Sequence, residues 1–493
     1  WLGDNYNQLV LENNNLIWLP PCLSRRLRSK RRILFTQTKK LLWENILDAT
    51  TTPTPLHQDE YEDPREIKLI RINRIKATQS KLSSISSPTE RLTQSVFGQL
   101  HKEMRSWPSS SYRRSYIGKG HGGQKRAFKV KFLGEGVNDY GGPYRAVFEQ
   151  IVDEVQCDSI VGQKKSDKCL LPLLIPCPNR SSSVGSNQDK FLLNSSPSSP
   201  LNQELMQFFG KLTGTALRHN MNMGLDLSCL FWRPMVRLPI SRPHLETIDV
   251  LAATSLTNIE KLGESIENNT DISYDKSYVP KEWIDLTFTI TSNDGTRISL
   301  IPGGEDIPVN LGNWREYILL VEKYRLRESS IMYRSYRDGL GSVIPIELLS
   351  IYTSHEIEEV FSGSTKIDIN ILKQCTEYDG IDPNSQLVIN FWEVLNEMTD
   401  YEKTLFLRFV WARSRMPSSI QEFIMNFKLQ SVTGDAKINP NNYLPNAQTC
   451  FFSLGLPNYT TKEILREKLL YAIYNSPNMD ADVRLHNAEG WTE

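Results

Sequence analysis

Residues 444–457 read Leu-Pro-Asn-Ala-Gln-Thr-Cys-Phe-Phe-Ser-Leu-Gly-Leu-Pro, and no other stretch of the chain restricts the fold as tightly. Pro445 and Pro457 have no N–H to give a β-ladder, so each ends a regular element as a turn. Between them lies a short strand-like run that starts at Cys450. The pattern puts a thiol at a strand edge, where a bulky partner reaches it. An arbitrary cysteine is most often a buried, inert packing residue. The rest of the chain must therefore decide what this one does.

That rest reads as helices interleaved with short strands. Residues 67–75 and 128–133 alternate apolar with polar side chains and are expected as strands. Residues 95–107 carry Val96, Leu100 and Met104 on one helical face. Asp139-Tyr140-Gly141-Gly142-Pro143 is a turn leading into a helix over 144–155, with Pro143 suited to its first turn. Residues 180–200, rich in Ser, Asn and Pro, are expected as a low-complexity surface insertion. A helix over 201–217 follows, packing closely through Gly210 and Gly214. Asn293-Asp294-Gly295 predicts a hairpin between 286–291 and 297–301, and 313–327 has helical spacing. Residues 345–352 and 354–361 read as two short helices, the second capped by Ser354. Helices are also expected over 385–397, over 401–412 with Asp400 as cap, and over 460–474 with a Thr460/Glu463 capping box.

At 493 residues the chain has room for two or more domains. Lys+Arg and Asp+Glu both total 57, so no global charge argues for nucleic acid or a membrane surface. No apolar run approaches the length of a membrane span. The chain starts at Trp1 without a signal-peptide pattern and is expected to be the C-terminal part of something longer. Seven cysteines, an odd and sparse set without Cys-x-x-Cys spacing, favour a reducing, cytoplasmic compartment, with nuclear access open. Cys169 and Cys177 are expected as packing residues, and the histidines show no paired zinc spacing, so neither metal nor cofactor is expected. The basic run 24–32 admits a nuclear-import or RNA-binding reading, against which a solvated helix face is favoured. Residues 118–123 are Gly-rich but lack the Lys-Ser/Thr of a phosphate cradle, and are expected as a loop.

Five landmarks then fall in one order: 132–147 around Asp-Tyr-Gly-Gly, 208–217, Glu377-Tyr378-Asp379-Gly380, 405–410, and the Thr-Cys-Phe loop between its two Leu-Pro pairs. Together they resemble the HECT-type ubiquitin ligases over about residues 67–480. The resemblance implies an α+β, bilobal fold. A mostly helical larger N-lobe with small β elements (67–362) would join through a flexible hinge (363–366) to a smaller α/β C-lobe (367–493). Residues 1–66 would be an N-terminal extension and linker. Cys450 would accept ubiquitin as a thioester from a conjugating enzyme and pass it to a substrate lysine. Ubiquitin, the conjugating enzyme and protein substrates are the implied partners, with no nucleic acid. The conjugating enzyme would dock at 245–325, where Leu256, Ile284, Leu286, Tyr317 and Val321 best match the family's contact positions. Tyr317 is expected as an exposed aromatic anchor. Gly363, Ser364 and Thr365 would form the hinge.

The chemistry asks little of the first transfer, because sulfur replaces sulfur. A thiol with pKa about 8.5 leaves a few per cent thiolate at neutral pH, and a donor such as the Thr449 hydroxyl suffices to help. The second transfer needs a lysine deprotonated, for which Asp480, Asp482, Glu489 and Glu493 are candidates. Two departures from the family pattern stand out: Gln448 replaces a histidine, and Met479 with residues 480–493 replaces a tail phenylalanine near the end. Those departures give weight to a catalytically degenerate scaffold of the same fold. A cysteine hydrolase is the other alternative. It would need a histidine base, and neither His355 nor His486 has suitable flanking context.

Overall fold

The computed structural model describes residues 23–54, 64–82, 84, 87–118, 124–135, 141–157, 170–195, 199–268, 275–293, 295–364, 367–411, 413, 415–417, 420, 423 and 425–475. The loop expected within 118–123, Cys169, Met479, Thr365 of the expected hinge and the tail carboxylates therefore lie almost wholly outside the described residues, Gly118 alone being inside. Helix and small sheets are mixed throughout, an α+β chain.

The alternating segments form strands β1 (Leu69–Ile72) and β2 (Lys129–Phe132), paired in parallel. Ile70, Ile72, Val130 and Phe132 point into the core, as the alternation requires. β1 ends before residue 75 because the Asn73 side chain accepts from the Lys76 N–H and starts the Arg74–Gln79 helix. Ser95 caps Val96–Met104 in the same way through the Gly98 N–H. Two core N–H groups at that helix start, of Val96 and Phe97, donate to the buried Glu154 carboxylate at 2.7 and 2.9 Å. Gly141, at φ 110°, turns the chain into the Gly142–Val155 helix, with Pro143 in its first turn.

Residues 181–189 are almost all exposed, as expected of a surface insertion, and regular structure flanks them. β3 (Leu174–Pro176) and β4 (Phe191–Leu193) pair antiparallel, and a short Pro178–Ser182 helix lies between them. Phe191 and Leu193 are buried, and buried Asn179 donates to the carbonyls of Ser186 and Thr247. The exposed Ser182 and Asn187 side chains donate to the carbonyls of Pro178 and Thr247, which ties this surface turn to the elements beside it. Next, the Pro200–Arg218 helix packs on Ser330–Gly341. A Cβ at Gly210 would fall against the Tyr336 carbonyl and 2.8 Å from the Leu340 nitrogen, so only glycine permits that approach.

The hairpin forms as expected from β5 (Thr289–Thr291) and β6 (Arg297–Ser299), with Gly295 at φ 84°. With helices Val250–Glu267 and Trp314–Arg327 it encloses a separate apolar cluster around Trp283, Phe288 and Trp314. Three caps fall one residue from the expected position. Thr353, not Ser354, opens Ser354–Ser362 in a reciprocal box with Glu356. Thr399 and Glu402, not Asp400, close the analogous pair before Asp400–Trp411. Thr461, not Thr460, accepts from the Ile464 N–H before Lys462–Asn475. Adjacent hydroxyl and acidic residues make the two registers equivalent in composition, and backbone geometry decides.

The hydrophobic core divides along the chain. One cluster runs from Trp43 to Phe361, and another uses only residues from Ile367 to Ile473. The second is built on one sheet of β7 (Thr376–Asp379), β8 (Phe427–Ser431), β9 (Asn446–Gln448) and β10 (Ser453–Leu456). Their order is β7-β8-β10-β9, with β9 antiparallel to β10 and the other pairs parallel. Helices Gln386–Glu397, Asp400–Trp411 and Lys462–Asn475 supply most of its remaining apolar side chains.

Candidate active site around Cys450

Cys450 is the middle residue of a one-turn 3-10 helix, Thr449–Phe451, that joins edge strand β9 to central strand β10. The sheet therefore places it in the turn between two strands rather than within a strand. Phe452 closes the turn at φ 48°, a left-handed conformation uncommon for a bulky residue. That backbone is over-determined by packing. The Phe452 ring stacks on Trp411 at 4.2 Å and 10°, and Trp411 stacks on Phe423 at 5.6 Å and 3°. Phe451 faces solvent, whereas Thr449 and Ser453 are 1% exposed. The hydroxyls of both have no hydrogen-bond partner among the described residues. Thr449 therefore does not hold its hydroxyl in solvent.

A residue from the larger core holds this turn. Buried Arg145, on the Gly142–Val155 helix, donates through Nη2 to the Thr449 carbonyl and through Nε to the Trp411 carbonyl at 3.2 Å. Its Nη1 donates to Gln124 Oε1 at 3.1 Å. A guanidinium fans its donors in a rigid plane, which lets one side chain fix both ends of the Trp411–Phe452 stack. Sequence reasoning did not single out Arg145. The signal was present, since a lone arginine in Tyr144-Arg145-Ala146-Val147-Phe148 must pair when its neighbours are buried.

More arginines cross between the two cores. Arg408 donates to both Asp153 oxygens at 2.8 and 3.2 Å, and Arg415 donates to Asp226 at 2.8 Å. Arg413, buried over the Trp411 ring at 4.3 Å, donates to the Asn220 carbonyl at 3.2 Å. Burial, with Arg145 nearby, pulls the Arg413 pKa down to about 9. The contact is thus rich in guanidinium and carries some like-charge stress.

Leu256, Tyr317 and Val321 are buried and share the apolar cluster of the hairpin region with half-buried Leu286. Only Ile284 stands out into solvent, at 72% exposure. Tyr317, expected as an exposed anchor, is instead 8% exposed, its ring edge-on to Phe288 at 5.6 Å. Helical spacing alone did not separate its two faces. Gly363 has φ 73° and follows the Ser354–Ser362 helix, while Ser364 bridges to Met416. His355, the described histidine considered for a hydrolase, is 81% exposed beside Glu359. Cys177 and Cys375 are buried free thiols whose pKa burial raises. Among the described residues no group of His, Cys, Asp and Glu could hold a metal ion, and no helix is long and apolar enough to cross a membrane.

Comparison with known proteins places this geometry. Residues 169–482 match the family model of the HECT-domain (ubiquitin-transferase). Over 454 residues, 92% of its length, the chain is 32% identical to E3 ubiquitin-protein ligase HERC2 of Mus musculus, and equally so to the Homo sapiens protein of that name. Probable E3 ubiquitin-protein ligase HECTD4 of Homo sapiens is 27% identical over 476 residues, 91% of this chain. The chain spans only 8% of the HERC2 proteins and 11% of HECTD4. It belongs to the HECT-domain family, whose E3 ubiquitin ligases are transferases.

Proposed function

We propose that this chain accepts ubiquitin from a conjugating enzyme as a thioester on Cys450 and transfers it to a lysine of a protein substrate. The observation that carries the reading is the position of Cys450. It falls inside the family match, on a strained turn whose preceding carbonyl is clamped by a buried arginine from the other core. In the first step the Cys450 thiolate attacks the donor thioester carbonyl. A carbon–sulfur bond forms to Cys450 and the conjugating enzyme's thiolate leaves. The Thr449 hydroxyl, buried and without a partner among the described residues, is the donor assigned to the thiolate. In the second step a neutral lysine amine attacks, the bond from the carbonyl carbon to the Cys450 sulfur breaks, an amide forms, and the proton lost by nitrogen passes to the departing sulfur.

The conjugating enzyme's site is assigned to 245–325. Ile284 supplies its exposed contact, and Leu256, Leu286, Tyr317 and Val321 shape the surface from beneath. Residues 67–362 and 367–493 act as two lobes, and Gly363, Ser364 and Thr365 absorb the swing that carries Cys450 between donor and substrate. The cytoplasm is the assigned compartment. Incubation with a conjugating enzyme charged with ubiquitin tests the reading. A ligase traps ubiquitin on the chain in a bond cleaved by thiol reductant. A hydrolase releases it free, and a scaffold leaves the donor charged.

A further inference from the structure

The basic run of residues 24–32 has no part in ubiquitin transfer, yet the fold gives it a defined place. The Leu23–Ser29 helix ends in a turn that folds back onto the larger core. There the Arg31 guanidinium donates to the carbonyls of Val236 at 2.7 Å and Tyr352 at 3.4 Å, and Lys39 Nζ donates to the Arg31 carbonyl at 2.6 Å. Seated this way, the run meets Arg233 and the first turn of the Ser354–Ser362 helix. Together they line an open cavity, a surface cleft of about 460 Å³ whose walls include Arg28, Lys30, Arg31, Arg32, Arg233 and Ser354.

Several features distinguish this cavity from a solvated helix face. None of its lining residues is acidic, and none of its five cations has a carboxylate within ion-pair distance among the described residues. The carboxylate beside it, Glu356, is engaged by Lys39 at 2.7 Å and by the Thr353 N–H at 2.8 Å. Arg31 feels the crowding: burial and the charges of Arg28 and Arg32 hold its pKa below the ordinary value. The first N–H groups of the Ser354–Ser362 helix add further positive potential. A cavity of this size falls within the usual range for small-molecule sites.

We propose that this cavity binds a compact phosphorylated small molecule carrying two or three phosphate groups. A phosphate monoester carries about −1.5 to −2 charges at neutral pH, so two or three of them balance the five cations. Single-stranded RNA fits worse, because it is read by stacking on aromatic side chains and none of the lining residues is aromatic. An extended import signal fits worse too, because Arg31 is tied to two backbone carbonyls of the folded core. The ligand would neutralise repelling charges across the joint between the N-terminal helix and the larger core, and so fasten that helix in place. The phosphates could be those of a free metabolite or of a lipid headgroup, and the test separates the two.

The test uses the full chain at about 0.15 M salt, so that weak surface attraction is screened. Tripolyphosphate and inositol 1,4,5-trisphosphate are the soluble probes, read by titration calorimetry and thermal shift. Vesicles with and without phosphatidylinositol 4,5-bisphosphate are the lipid arm, read by co-sedimentation. The expected result is saturable one-to-one binding of a soluble probe with a rise in melting temperature. The double variant Lys30→Gln, Arg32→Gln should weaken binding about tenfold or more, since charge-assisted phosphate bonds are among the strongest. Those side chains make no hydrogen bond among the described residues, so the variant keeps its circular dichroism and its unliganded melting temperature. Arg233→Gln should weaken binding likewise, and Lys437→Gln, on the exposed surface of the C-terminal core, should not. Binding to phosphoinositide vesicles alone, lost in the same variants, supports the phosphate site and assigns it to a headgroup. The proposal is overturned by no saturable binding to either arm at about 1 mM phosphate compound, a Kd worth only about −4 kcal/mol. It is equally overturned by binding that the three substitutions leave unchanged, or by a poly(U) oligonucleotide that binds more tightly and displaces the soluble probes.

Discussion

Arg145→Met keeps most of the side chain's length and apolar packing but removes every donor that ties the Cys450 turn to the larger core. Two hydrogen bonds from a charged donor are lost across the contact, to the carbonyls of Thr449 and Trp411, and one within the larger core, to Gln124. A hydrogen bond to a charged group contributes about 1.5–3 kcal/mol, so the two crossing bonds sum to roughly 3–6 kcal/mol. Relief of the repulsion that Arg413 feels from Arg145 offsets part of this, as does water entering to satisfy the stranded carbonyls. A net loss of about 3 kcal/mol is expected, which raises the opening equilibrium of the turn by about two decades at 1.4 kcal/mol per decade. Hydrogen–deuterium exchange of a peptide spanning 446–456 reads that opening, with β8 and the Gln386–Glu397 helix as internal standards. Faster exchange confined to the turn and to residues near Trp411 is the expected outcome. Unchanged exchange would refute the clamp. Acceleration across the whole C-terminal core would show that Arg145 acts on global stability instead.

Further consequences follow from other parts of the molecule. Gly210→Ala should cost at least about 2 kcal/mol by overpacking the contact with Ser330–Gly341, measured by urea denaturation, and a neutral result would contradict the close approach. Gly363→Ala places a Cβ 2.9 Å from Arg415 Cβ at φ 73°. It should destabilise the chain by about 1–2 kcal/mol, and a proline there would be worse because its φ is locked near −65°. The pH dependence has two opposed contributions. Burial lifts Glu154 to about 7, so its folded form holds a proton that the unfolded form releases near 4.5, and stability rises as pH falls through that window. Burial depresses His219 to about 3, so the unfolded form gains a proton below 6.5 and stability falls as pH drops. Glu154→Gln should therefore lose stability more steeply than the parent between about pH 7 and 5, and a shallower slope would show the assignment to be wrong.

What the chain disclosed before folding was uneven, and the reasons are physical. Proline brackets, glycine turns and alternation are local, so β1, β2 and the hairpin could be read directly from residue order, whereas Cys450, expected at the start of a strand, sits in the turn before β10. Capping boxes were visible but shifted by one residue, because Thr353-Ser354 and Thr460-Thr461 offer two adjacent hydroxyls to one helix start. The surface position of residues 181–189 followed from their polar composition, but the buried β4 strand within 180–200 did not, because its pairing with β3 is a tertiary fact. Tyr317 was taken as exposed because periodicity marks an apolar face without saying which neighbour covers it. Arg145 escaped notice for a related reason. Its partners lie 266 and 304 residues away along the chain, and only tertiary structure brings them together.

The central claim concerns one sulfur atom, and replacing it with oxygen tests that claim most directly. The Cys450→Ser variant, charged by a conjugating enzyme and ubiquitin and run on a non-reducing gel, should carry ubiquitin as an adduct that resists thiol reductant and yields to alkali. The parent should carry one that reductant cleaves, and Cys450→Ala should carry none. A reductant-sensitive adduct that persists in Cys450→Ala, or a parent chain that never acquires ubiquitin from any charged donor, would contradict the account.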